Sequence, residues 1–179
     1  ASKSVSYMGL TFKNLTLDAG YESPELNMRL GTTAVSLPGQ PELKGFNASL
    51  GTVPDNFIFR VNWDNREEVL NKGDFTARGS FIASEGRDAN PVLNIRIDPT
   101  EVYSRNKLWK LSPAALVIDT SSVMISKLYI SNGDNYYLID GKVSNDRMDT
   151  LHLQFRGIDI SWINGLMDRN NKEDQLPLS

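Results

Sequence analysis

Apolar and polar residues alternate with a period of two along most of the chain. Phe57, Phe59, Val61 and Trp63 alternate with Ile58, Arg60 and Asn62, and Leu93, Ile95 and Ile97 alternate with Asn94 and Arg96. Further on, Leu151, Leu153 and Phe155 alternate with Thr150, His152 and Gln154, while Tyr137, Ile139 and Val143 share a parity with Gly141. Successive side chains leave a pleated strand on opposite sides, so each of these runs predicts a strand with one apolar face. The run is densest over residues 109–162, where clusters of Asn, Asp, Gly and Ser break the alternation and mark turns between antiparallel strands. Leu26, Met28 and Leu30, then Phe46, Ala48 and Leu50, then Phe75, Ala77, Gly79, Phe81 and Ala83, and Leu116 with Ile118, extend the pattern.

The pattern predicts an all-β fold of about a dozen strands, each about five to eight residues long. Leu10 and Phe12 sit on one parity and Leu15 and Leu17 on the other, which places a bulge or turn at Lys13-Asn14. Pro38-Gly39-Gln40-Pro41 punctuates a turn, Pro91 opens a strand and Pro99 is expected to end it. Ile158 and Ile160 precede Trp162 in a further short alternation. Helical character is confined to one possible turn at 66–70 and a short stripe over 160–167. The expected product is one continuous apolar face that includes Phe57, Phe59, Val61, Leu93, Ile95, Ile97, Leu116, Ile118, Ile139, Leu151, Leu153 and Phe155.

Composition narrows what such a face can serve. The 179 residues carry 19 Lys and Arg against 22 Asp and Glu, and the densest basic stretch, residues 104–110, reads as a solvated turn. No concentrated positive stripe suits a nucleic acid, so none is expected as a partner. Cysteine is absent, which excludes a disulfide scaffold and a thiolate metal site. No apolar run reaches the roughly 20 residues that span a bilayer as a helix.

Candidate chemistry is sparse. The one histidine, His152, lies between Leu151 and Leu153 and so faces away from the apolar side. Nucleophile elbows, phosphate-binding glycine loops and calcium-loop spacing are all missing. Asp134, Asp146 and Asp149 fall in turn clusters, where Asx residues bond their own backbone. No catalytic residue, metal ligand or cofactor is expected. Phe57, Phe59 and Trp63 have the spacing of a sugar-stacking platform, although a strand's core face has the same spacing. Asn14-Leu15-Thr16 and Asn47-Ala48-Ser49 match the glycosylation sequon, a match short enough to arise by chance.

Several segments together resemble a known family: DNFIFRVNWDN followed by GDFTARGSF, then PVLNIRIDP, WKLSPAALVID, LYISNGDNYYLIDGKVSNDRMDTLHLQF and GIDISWINGLM. The most specific are Trp109-Lys110-Leu111-Ser112-Pro113 before a strand, and Gly141-Lys142-Val143-Ser144 followed by Asp149-Thr150-Leu151. From about Leu10 to the end, the chain is similar to the TamB branch of the AsmA-like proteins of Gram-negative bacteria. The resemblance implies an elongated, curved antiparallel β-sheet, open like a taco shell, with an apolar inner face. It implies that residues 1–179 form one domain of a longer periplasmic protein anchored in the inner membrane. The twelve apolar residues above would then line a groove for phospholipid acyl chains between the two membranes. An outer-membrane β-barrel of the TamA type would be the protein partner, and outer-membrane protein assembly an associated role. Two rivals share the alternation: a β-sandwich binding module for a carbohydrate or a cell-surface partner, and a β-rich enzyme with a dispersed carboxylate pair.

Overall fold

The computed structural model describes residues 3–7, 9–36, 42–83 and 90–157. Fourteen strands form in these residues: β1 (Ser4–Tyr7), β2 (Leu10–Lys13), β3 (Thr16–Glu22), β4 (Glu25–Ser36), β5 (Leu43–Val53), β6 (Asn56–Asp64) and β7 (Lys72–Ile82), then β8 (Val92–Ile97), β9 (Thr100–Ser104), β10 (Lys107–Leu111), β11 (Ala114–Ile118), β12 (Ser122–Asn132), β13 (Asn135–Ser144) and β14 (Leu151–Arg156). All of them join one curved antiparallel sheet. No helix forms among the described residues. The predicted helical stripe over 160–167, the Ile158–Ile160–Trp162 alternation and the turn at Pro38–Pro41 lie outside those residues.

The topology is a meander. β8 pairs with β7 and β11, and β9 pairs with β7 and β10. β8 and β9 are therefore two halves of one long strand, and β10 and β11 are two halves of the next. Their shared register does not slip, running from Leu93↔Ile118 and Ile97↔Ala114 to Thr100↔Leu111 and Ser104↔Lys107. The breaks fall at Asp98-Pro99 and Ser112-Pro113. Proline has no N–H to give a ladder, so two central strands are each interrupted at the proline. The N–H of Asp98 donates to Thr76 O at 2.9 Å, and that of Ser112 to Tyr129 O at 2.9 Å, so the neighbouring residues stay bonded across the gap. Pro99 thus interrupts a strand that the sequence pattern expects it to end. The interruption also explains the strand lengths. Where no proline intervenes, strands reach 11 or 12 residues, as in β4, β5, β7 and β12, longer than the predicted five to eight.

The predicted break at Lys13-Asn14 is present. Asn14 has φ 51°, and β2 and β3 pair in turn along the same neighbour, β4. The possible helical turn at 66–70 is absent, and a loop stands there instead. Asn65 closes it by exchanging main-chain and side-chain bonds with Asn71 and Val69, and Arg66 takes φ 51°. Asx residues that bond their own backbone displace a helix in this way. Asn71, one of the few buried polar residues, accepts from Trp63 Nε1 at 3.2 Å and donates to Glu42 O at 3.3 Å.

Very little of the sheet is buried. Among the described residues the buried apolar ones are Ala34, Val35, Ala77, Leu111 and Ala114, and no large side chain is fully buried. A second sheet laid over the first, as in a sandwich, would bury the large residues of both inner faces. The described residues contain one sheet only and do not form a sandwich.

Candidate apolar groove

Directly opposed residues in an antiparallel pair lie on the same face, so the registers trace the apolar positions across the sheet. One row runs Thr52, Phe57, Gly79, Ile95, Leu116, Ile125, Gly141, Leu151 from β5 to β14. A second runs Leu50, Phe59, Ala77, Ile97, Ala114. Along another edge of the same face lie Phe81, Leu93, Ile118, Val123 and Val143. Towards the opposite edge, Leu111, Ile130, Tyr137 and Phe155 are in register, and Leu128, Ile139 and Leu153 stand beside them. Val61 and Trp63 close β6 on the same side, opposite Phe75 and Gly73. All twelve apolar residues predicted to share a face do share it. Leu151, Leu153 and Phe155 are exposed and the other nine are half-buried.

One bulge keeps this face continuous. Ile125 and Leu128 differ in parity, yet they oppose Gly141 and Ile139, which do not. Lys127 absorbs the extra residue with φ 51°, and its N–H donates to Asp140 Oδ1 at 2.8 Å. Cross-strand aromatic packing stiffens both edges. Phe57 and Phe81 have ring centroids 6.2 Å apart at one edge. At the other, Trp109 lies 6.0 Å from Tyr137, and Tyr137 meets Phe155 edge-on at 5.7 Å. Phe57 lies over Gly79 and Trp63 over Gly73, so a Cβ at either glycine would overlap the ring.

A hollow of about 570 Å³ opens on this face, lined by Leu50, Phe57, Phe59, Ala77, Phe81, Leu93 and Ile95, with Asp55 and Asn56 at its mouth. That volume falls in the ordinary range for a small-molecule site, about 300–1,000 Å³. A larger hollow of about 790 Å³ is lined by Lys44, Asn62, Asp64, Lys72, Asp74, Glu101 and Tyr103 among others. Several of its charges are engaged: Lys44 pairs with Glu67, Glu101 with Lys110, and Lys72 lies 5.2 Å over the Tyr103 ring. The apolar hollow is the stronger candidate because it belongs to a face that runs from β5 to β14.

The other face is more polar, carrying Arg29, Ser49, Arg60 and Thr76, then Arg78 and Arg96 in register, with Arg78 paired to Asp98, alongside Ile58, Val117 and Leu138. His152 opposes Asp140 on that side. It is exposed, 3.4 Å from Thr150 Oγ1. Among the described residues no group of three or more His, Cys, Asp or Glu is placed to hold a metal ion.

Turn carboxylates behave as Asx caps. Asp119 Oδ1 accepts from the N–H of Ser121 at 2.6 Å and from its hydroxyl at 2.8 Å, and Asp119 Oδ2 accepts from the Ser122 hydroxyl. The Ser121 backbone and hydroxyl bonds, then the Ser122 hydroxyl, favour the ionised carboxyl and hold its pKa at about 2. The Ser144 hydroxyl and Lys142 hold Asp149 below the usual carboxylate range, and Lys13 and Ser36 do the same for Glu42.

Leu50, Ala77, Phe81 and Tyr137, which the alternation includes, belong to the face or line its hollow, whereas Leu128, Ile130, Leu111 and Trp109 belong to it without being read from the pattern. Leu128 and Ile130 are hidden by the bulge, and Leu111 and Trp109 by the proline breaks. The basic stretch 104–110 contains the tight β9–β10 turn, as the sequence suggests. Arg105 and Asn106 both take positive φ there, at 50° and 64°.

No family model matches the chain, and neither a curated protein nor a solved structure matches it.

Proposed function

We propose that this chain is a lipid-conducting segment whose apolar face receives phospholipid acyl chains, as its resemblance to TamB-like proteins implies. The observation that carries the reading is a single-layered sheet with a continuous apolar face whose large residues stay half-exposed. Monomeric proteins rarely leave a contiguous apolar patch above a few hundred Å² uncovered, and such patches mark binding surfaces. Outside the bulge and the proline breaks, backbone N–H and C=O groups are directed along the ladders, so a chain in the trough meets side chains. Each methylene transferred fully from water onto apolar surface gains about 0.8 kcal/mol.

On this proposal the segment acts without catalysis, in a periplasm between two membranes, as part of a longer bridge. An outer-membrane β-barrel of the TamA type is the proposed protein partner. The test is mass spectrometry of organic extracts from the purified protein, with titration of delipidated protein against nitroxide-labelled phosphatidylglycerol. Co-extracted phospholipid and saturable binding are expected. A lipid-free extract together with no binding overturns the proposal.

A further inference from the structure

The two rims of the groove differ in chemistry. Strand ends at one rim are Asp64, Lys72, Ser104, Lys107, Asn132 and Asn135, and here the groove carries Trp63 and Trp109 in one register row with Gly73 and Val102. The β9–β10 turn at this rim presents Arg105 and Lys107. Both are exposed and neither joins an ion pair among the described residues, and Lys107 lies two residues from Trp109 on the groove side. Asp134 lies on the neighbouring β12–β13 turn, and the β6–β7 loop carries Glu68 together with Glu67, which Lys44 engages. At the opposite rim the groove ends on Phe81, Leu93 and Val143, whose bodies carry no polar tip. The turns there hold Asp55, Asp119, Asp146 and Asp149 with a single Arg147 among them, and Lys142 is engaged by Asp149. Asp119 stays ionised down to about pH 2.

From Phe57 to Trp63 the groove measures about 20 Å along β6. The acyl region of one leaflet is roughly 15 Å deep, half the hydrocarbon core of a bilayer. A chain laid along the strands therefore fits between the rims. An indole with a polar tip suits the boundary between acyl chain and headgroup, and an anionic phosphate favours Arg105 and Lys107 over the acidic turns opposite. Resting on the acyl-groove proposal above, we infer that phosphate-bearing lipids lie parallel to the strands, with the phosphate at the β9–β10 turn and the chain methyl ends at the Phe57–Phe81 hollow.

The chain has no cysteine, so single cysteines give clean labelling sites. Ser104→Cys places a bimane fluorophore at the basic rim and Phe81→Cys places one at the apolar rim, where Phe81 is 46% exposed. Each is titrated with phosphatidylglycerol carrying a nitroxide near either the carbonyl or the methyl end of one chain. The carbonyl-end nitroxide is expected to quench the Ser104→Cys probe more strongly, and the methyl-end nitroxide the Phe81→Cys probe. The reverse order, or equal quenching by both labels at both sites, overturns the orientation and leaves the groove standing. Absence of quenching at both sites overturns the groove as well. In a second arm, Arg105→Glu with Lys107→Glu is expected to weaken phosphatidylglycerol roughly tenfold and to leave uncharged diacylglycerol unchanged. Equal losses for both lipids in a variant with an unaltered far-UV spectrum overturn the phosphate assignment.

Discussion

At the scale of single residues, the groove is shaped by large rings set against small partners. Gly79 is the clearest case, because the Phe57 ring occupies the space its Cβ would take. Gly79→Ala is expected to destabilise by about 1–3 kcal/mol, the usual range for overpacking. In a Phe57→Ala background the added methyl has room, so the same substitution is expected to cost much less. Urea denaturation of the four-member cycle measures the coupling, and additive penalties would show that the ring does not rest on Gly79. His152 makes the opposite prediction. It faces the polar side beside Asp140, so His152→Ala is expected to change the urea midpoint and lipid binding negligibly. A large loss in either would place its side chain in the groove.

At the scale of the element, turn chemistry and proline decide where strands begin, break and resume. Alternation makes most of this legible: the twelve apolar residues share a face because period two is strict within β6, β8, β11, β13 and β14. What alternation hides is any place where parity changes without a turn. Leu128 joins Ile125 on one face only through the left-handed Lys127, a residue type that gives no bulge signal. Pro99 and Pro113 look like strand ends because proline lacks a donor, and only the neighbouring strands reveal that β8 continues as β9 and β10 as β11. The 66–70 loop was misleading for a related reason, since Asn65 recruits Asn71 and Val69 from beyond the local window. Asx turns, by contrast, announce themselves, and the one at Asp119 has a pH consequence. The bonds from Ser121 and Ser122 lower its pKa in the folded state from 3.8 to about 2. A depressed carboxylate pKa stabilises the fold above the unfolded pKa, and that contribution is lost as pH falls through the folded value. Stability contributed by this turn is therefore expected to be present above pH 4 and to fade between about pH 4 and 2. Asp119→Asn is expected to remove that part of the pH dependence, as seen in urea melts from pH 6 to 2. An unchanged slope in the variant would mean that Asp119 is not the titrating cap.

At the scale of the whole molecule, the sheet extends about 45 Å across the ten strand positions from β3 to β14, at about 4.8 Å per strand. Nothing in the described residues covers its apolar side. That a sheet of this composition stays single-layered was not legible from residues alone, because sandwich and trough share the same alternation. Local pattern specifies which side chains share a face and leaves open what that face meets. A buried charge separates the two architectures by energy. In a sealed core a lone carboxylate at Ile95 loses its hydration, costs several kcal/mol and is forced to neutralise. Ile95 is half-buried at the edge of the apolar hollow, and Leu153 is 52% exposed on β14. In the open trough, Ile95→Asp is expected to leave the protein folded with a loss of about 1–2 kcal/mol, and Leu153→Asp with less than about 1 kcal/mol, as for surface substitutions. On the acyl-groove proposal both changes put a hydrated carboxylate in the path of acyl chains, so binding of nitroxide-labelled phosphatidylglycerol is expected to fall, more for Ile95→Asp than for Leu153→Asp. Thermal and urea melts paired with that titration check both halves. Global unfolding of Ile95→Asp would mean that the face is sealed in solution, and a folded variant with undiminished binding would mean that acyl chains do not pass over Ile95.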